Sequence, residues 1–238
     1  MAASLATWPA ALAAPFWCEE ELGRAVPVWA FDKTGVAPLR RAYRFILESF
    51  DIDAVVLFDG GVDALLRGDE TSLGTPAEDL TSVAAVAALE VPLKALGCLA
   101  LGAELRDGIC HEQVFERIAE LTRLGGFVGA VPLLQSTEAG RRYRAAVEYA
   151  FAHQSSQRTS HINRVVLAAM RGDFGAQGPH IWISPLLNML WYFDLDQVAR
   201  SHLFLDQLEG TETIWEVSAR IEGIRKGLEV RERSEVPI

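Results

Sequence analysis

The sequence predicts a three-layer α/β domain, a mostly parallel sheet of Rossmann-like character with helices on both faces and a helical C-terminal part, and three observations predict it. Short β-prone apolar runs alternate with stretches of helical periodicity through the first two thirds of the chain, and glycines or Asp–Gly pairs close several of the runs. Strand–helix–strand units of this length are right-handed crossovers that deposit helices on both faces of a parallel sheet. Half of the 238 residues are apolar and 23% are charged, which supplies a core and excludes a disordered chain.

Residues 1–17 read as an irregular N-terminal extension of a single domain, 1–238, because they are alanine-rich, lack a basic leader and are broken by Pro9 and Pro15. Pro27–Phe31 is expected to be a strand, and Ala54–Phe58 a second one that stops at Asp59-Gly60-Gly61. Between them Pro38 can open a helix whose Leu39, Tyr43, Ile46, Leu47 and Phe50 recur on one face. Thr75-Pro76-Ala77-Glu78 carries an N-cap threonine, a proline at the first helical position and a glutamate placed to close a capping box. A third strand is expected around Lys94–Leu101, a helix over Cys110–Leu124, a fourth strand over Phe127–Leu133 and a helix over Glu138–His153. Gln154–Ser160 reads as a polar loop and Ile162–Met170 as a strand in preference to a helix. Residues 185–238 are expected to be helical, with Pro185 opening a segment through Leu186–Phe193, Asp196 capping another and Thr213-x-x-Glu216 starting a last one.

The composition narrows the partners. Lysine and arginine number 22 against 32 acids, a formal charge of −10, which opposes binding to a phosphate backbone and argues against nucleic acid. Nothing reaches the roughly 18 uninterrupted apolar residues that a membrane-spanning helix needs, so no membrane partner is expected. Cys18, Cys98 and Cys110 lack CxxC spacing and specify neither a disulfide framework nor a zinc ribbon, as suits a reducing cytoplasm.

The segment Asp59 to Asp79 concentrates the chemistry. It holds six acids, Asp59, Asp63, Asp69, Glu70, Glu78 and Asp79, against one base, Arg67, and four glycines punctuate it. Ligands of open parallel sheets bind beyond the carboxyl ends of the strands, where Asp59 is expected to sit. Gly60 and Gly61 allow close approach of a ligand to the backbone, and Gly74-Thr75 places a helix amino end, with its unpaired N–H groups, across the same loop. Acids beside an anion-attracting helix end conflict unless a cation intervenes, and Mg²⁺ or another divalent cation on Asp59 and Asp63 resolves this. Alternatively the acids accept hydrogen bonds from sugar hydroxyls while Arg67 holds a phosphate or carboxylate. The plainer reading is that several of these acids only cap glycine turns, and Glu78 is explained by its capping box alone.

His111 is a candidate acid/base beside Asp69 and Glu70. A Cys110–His111 dyad is disfavoured, because neighbouring helical side chains diverge by about 100°. His161 and His180 flank a glycine-rich stretch, where isolated histidines are more often structural than metal ligands. Trp191-Tyr192-Phe193 reads as core, with an aromatic oligomer interface as the alternative. A two-fold homodimer is expected, because the apolar residues of Leu186–Phe193 would surround a helix rather than line one face of it.

Val56–Glu70, Leu73–Asp79, Asp107–Glu112 and Ile183–Asp194 resemble successive blocks of an uncharacterised family that carries a domain of unknown function (DUF1152), and the likeness runs from about Phe16 onward. The resemblance implies no established activity, but it does imply that the Asp59–Asp79 segment matters. It also implies an extra N-terminal strand with a glycine-rich turn ending in aspartate, and no such turn precedes Trp17. A shortened form with a partial site, or a scaffold without the chemistry, is expected on that ground. The function expected from the residues is a metal-assisted hydrolase or transferase acting on a phosphorylated or hydroxyl-rich metabolite. Asp59, Gly60, Gly61, Asp63, Arg67, Gly74 and Thr75 would bind and Asp69, Glu70 or His111 would move the proton. The alternative is a non-catalytic ligand-binding or assembly subunit.

Overall fold

The computed structural model describes residues 17–21, 23–104, 108–153, 159–178 and 181–235. The expected N-terminal extension therefore lies, apart from Trp17, outside the described residues, as does His180. The protein is a mixed α/β chain built on a four-stranded sheet, with a separate two-stranded ribbon.

The Asp59 unit forms as its pattern dictates. Helix α1 (Val36–Phe50) leads to strand β1 (Ala54–Asp59), helix α2 (Pro76–Ala87) crosses over, and strand β2 (Leu93–Leu99) pairs parallel to β1. Helix α3 (His111–Arg123) then runs to strand β3 (Phe127–Pro132), and helix α4 (Glu138–His153) follows. Helix α5 (His161–Met170) leads to the ribbon, β4 (Gly175–Ala176) with β5 (Trp182–Ile183), and a 3-10 turn over Pro185–Asn188 enters strand β6 (Met189–Asp194). Helices α6 (Leu195–Arg200) and α7 (Ile214–Arg225) follow, with a 3-10 turn over Leu205–Leu208 between them.

The strand order is β1-β2-β6-β3, and β6 runs antiparallel to both neighbours. The expected parallel sheet is thus corrected to a mixed one with a single parallel pair, because the chain returns from its C-terminal half to insert β6 between β2 and β3. Leu186–Phe193 is not a helix. A short, wholly apolar run looks the same as a buried strand or a buried helix, and here Trp191-Tyr192-Phe193 lies in the sheet, with Phe193 fully buried. Ser184 caps the 3-10 turn through Leu186 N–H, and Asp194, rather than Asp196, caps α6 by accepting from Gln197 N–H.

Two further strands are corrected. Ile162–Met170 belongs to α5, where Ser160 accepts from Asn163 N–H at the amino end and residues 165–170 are all buried. Pro27–Phe31 forms no strand; Trp29 instead packs edge-on against Phe45 and Phe50 of α1, and Phe31 against Tyr43.

The main core joins one sheet face, with Leu96, Cys98 and Phe193, to residues of α1, α2, α3, α6 and α7, and a second cluster joins Leu99 and Leu190 on the other face to α4 and α5. That second face is covered only in part: Val56, Phe58 and Val131 remain exposed, and Phe58 lies over Gly97, where a Cβ would come within 2.9 Å of its ring. No helix among the described residues is long and apolar enough to cross a membrane.

Because Phe193 stands in the centre of the sheet, Phe193→Ala is expected to lower the unfolding free energy by about 3–5 kcal/mol in urea melts. Trp215→Ala, at a side chain that is 80% exposed, is expected to leave it within about 0.5 kcal/mol of the parent.

Candidate functional site

Strand β1 delivers Asp59 to the carboxyl edge of the parallel pair, and the chain then turns through Gly60 and Gly61 into a 3-10 turn over Asp63–Leu65. Asp59 Oδ2 accepts from Ala64 N–H at 3.1 Å, closing that turn. Asp63, only 5% exposed, accepts from both the backbone N–H and the Oγ1–H of Thr75 at 3.0 Å each. Thr75 therefore does not cap α2 with its side chain, and Glu78 pairs with Lys33 instead of closing the expected capping box. A carboxylate of the chain itself takes the first N–H group at this helix end, which stabilises negative charge there.

From the end of β2, Glu104 reaches across to accept from Val62 N–H at 3.0 Å. A Cβ on Gly61 would fall 2.1 Å from Glu104 Oε1, and one on Gly74, whose φ is +64°, would fall 2.8 Å from Asp63 Oδ2. A side chain at either position would push a carboxylate aside, and the positive φ of Gly74 calls for glycine by itself. Asp79, one helical turn after Thr75, completes the group. A cavity of about 250 Å³ is lined by Asp59, Gly60, Asp63, Thr75, Asp79, Ala103, Glu104, His161 and Ile162. Among the described residues no lysine or arginine lines it.

The electrostatics follow from burial of like charges. Desolvation first, and then the Asp63 carboxylate, raise the pKa of Asp59 above the ordinary carboxylate range. Burial, Asp63 and Asp59 do the same to Asp79, and burial with Asp63 pushes Glu104 up to about 10. Cys98, fully buried beneath them, is driven well above its usual value by desolvation and then by the surrounding acids.

The expected site residues divide. Asp59, Gly60, Asp63 and Thr75 line the cavity, and Gly61 and Gly74 adjoin it as the positions that admit Glu104 and Asp63. Arg67, Asp69 and Glu70 do not line it. Arg67 pairs with Asp69 and with Glu120 at 3.6 Å, and Glu70, 1% exposed, accepts from Arg67 N–H and Gly68 N–H at 2.8 Å each. Arg231 pairs with Asp69 at 3.1 Å and with Glu70 at 3.2 Å, which fastens the C-terminal segment to this loop. His111 lines a different cavity, with Gly102 and Arg233. Asp79, Ala103, Glu104, His161 and Ile162 line the cavity without having been among the expected site residues. The rule that places sites beyond strand carboxyl ends, applied to β2 as it was to β1, points to Glu104.

Among the described residues no three histidine, cysteine or acidic side chains form a ready metal centre. Asp59 and Asp63 supply two hard oxygen donors, the number with which Mg²⁺ is commonly held while keeping several waters.

Fold and site together define a mixed α/β protein with an acidic cavity at the carboxyl ends of adjacent parallel strands. The chain belongs to the family described as "Protein of unknown function (DUF1152)", which matches residues 19–232. No curated protein and no solved structure matches the chain.

Two expectations follow. The raised acids bind protons in the folded state that the unfolded chain releases, so their stabilising contribution is full below the ordinary carboxylate range and is lost as pH rises toward about 10. In chelator the melting temperature is therefore expected to fall between about pH 6 and pH 9. Glu70→Ala, which leaves two backbone N–H groups and Arg231 without their buried acceptor, is expected to cost about 2–4 kcal/mol in denaturant melts.

Proposed function

We propose that the chain is a small-molecule enzyme, a metal-assisted hydrolase or transferase for a phosphorylated or hydroxyl-rich metabolite, with its site in the acidic cavity. One observation carries this reading: four acids, Asp59, Asp63, Asp79 and Glu104, converge on one cavity beyond the carboxyl ends of β1 and β2. Such convergence is unfavourable without a bound cation or proton, and strongly perturbed carboxyls in a cleft are candidates for a functional site. A divalent cation on Asp59 and Asp63 would supply Lewis-acid polarisation of a phosphoryl or carbonyl oxygen.

The chain's own residues supply the rest. Glu104 and Asp79, whose pKa values are raised, hold protons near neutral pH and can donate one to a leaving oxygen. These two replace Asp69, Glu70 and His111 in the acid/base role, since those three stand outside the cavity. Gly60, without a side chain, leaves space over the backbone for the substrate, and Thr75 with Asp63 fixes the wall opposite.

The displacement of Asp69, Glu70 and His111 is also the observation that favours the second reading, a ligand-binding subunit without catalysis. The proposed two-fold dimer draws its support from exposed Val56, Phe58 and Val131 on the uncovered part of the sheet, and no longer from the C-terminal aromatic run.

Calorimetry with Mg²⁺ and Mn²⁺ tests the reading. Saturable binding is expected, tighter at about pH 8 than at about pH 6 because the cation displaces protons, and weakened roughly tenfold or more by Asp59→Asn or Asp63→Asn. Absence of binding by either metal across that range would sink the metal-assisted reading.

A further inference from the structure

The turn after β2 separates two cavities. Ala103 and Glu104 face the acidic one, whereas Leu101 and Gly102 line a second cavity of about 350 Å³. Its walls combine apolar Phe115 and Leu186 with His111 and Ser184, and Arg233 stands on the lining with Glu112 and Glu235. This volume lies within the range of small-molecule pockets.

Three features of this cavity bear on what it can take. His111 Nε2 is shielded from solvent and has no hydrogen-bond partner among the described residues. Buried polar atoms are nearly always partnered, and a ligand is one of the ways in which an exception is satisfied. Gly102, whose φ of +107° calls for glycine, adjoins that imidazole, and a Cβ there would make an ordinary contact 3.6 Å from His111 Cε1. Arg233 donates to Gly108 O at 3.3 Å and forms no ion pair among the described residues, although two carboxylates share the lining with it. Burial and the Arg233 charge lower the pKa of His111, so at neutral pH the ring is an uncharged donor–acceptor rather than a cation.

We propose that this cavity is a second ligand site, one that takes a small zwitterion with an apolar body, of the kind an apolar amino acid presents. Its carboxylate meets Arg233, its ammonium meets Glu112 and Glu235, its body lies on Phe115 and Leu186, and a polar atom of it partners His111 Nε2. Opposite charges at the two ends of a short ligand match a lining that carries both signs, whereas a simple anion would face two carboxylates and a simple cation would face the guanidinium. The site stands apart from the acidic cavity and does not depend on a metal there.

The test uses the full chain labelled with ¹⁵N-histidine and three probes: L-phenylalanine, phenethylamine, which lacks the carboxylate, and 3-phenylpropionate, which lacks the ammonium. L-phenylalanine is expected to shift the His111 imidazole resonance saturably, leaving that of buried His202 in place, and to bind roughly tenfold or more tightly than either analogue. Arg233→Met is expected to abolish the preference over phenethylamine, and Glu112→Gln to reduce that over 3-phenylpropionate. Both variants alter side chains outside the core, and an unchanged His202 resonance confirms that each is folded. Binding of all three probes with equal affinity, or no shift at His111 with any of them, would overturn the proposal.

Discussion

The arrangement of the molecule around its site depends on one interaction, the acceptance by the Asp63 carboxylate of both donors of Thr75. That bond pair ties the loop leaving β1 to the start of α2. It requires glycine at position 74, and it puts a buried acid beside Asp59, Asp79 and Glu104. Glu104, bonded to Val62 N–H, adds the same constraint from the neighbouring strand. The strand ends, the two glycines and the first turn of α2 are thus held by carboxylates, and the energetic consequence is a cluster of like charges out of contact with most of the solvent.

Such a cluster has two ways to exist. Protons neutralise it, which is what the raised carboxyl pKa values of Asp59, Asp79 and Glu104 express, or a cation does. The two states exchange by mass action, so a site of this kind couples cation affinity to pH. The second charge system of the protein is of another sort. Arg67 and Arg231 pair with Asp69, Glu70 and Glu116, and Arg117, almost fully buried, donates to Leu65 O and Val198 O while pairing with Glu120. These pairs fasten the C-terminal segment and α3 to the loop, and each acid among them faces an arginine.

The β1-α2-β2 unit was legible because its signals are local: apolar runs ending at Asp59-Gly60-Gly61 and a proline just after Thr75. Asp63 and Thr75 were legible as site residues through the same loop. The roles of Asp69 and Glu70 were not, since a carboxylate that folds back onto backbone N–H groups, as Glu70 does, or onto Arg67 and Arg231, as Asp69 does, has the same local sequence as one that faces a ligand. Strand β6 escaped because an apolar run carries no period to distinguish strand from helix, and its place between β2 and β3 is a long-range fact that Trp191-Tyr192-Phe193 does not encode locally. Helix α5 escaped for the same reason, with Ser160 the one local sign of its start. Glu104 joins Val62 across 42 positions of sequence, so only the strand-end rule applied to β2, and no local spacing, points to it.

Infrared difference spectroscopy of the carboxyl groups tests the central claim most directly. In metal-free protein near neutral pH the account predicts protonated-carboxyl bands that shift with Asp79→Asn and Glu104→Gln, and that convert to carboxylate bands when Mg²⁺ is added. A spectrum showing every carboxyl already ionised, or protonated bands that Mg²⁺ leaves unchanged, would contradict it.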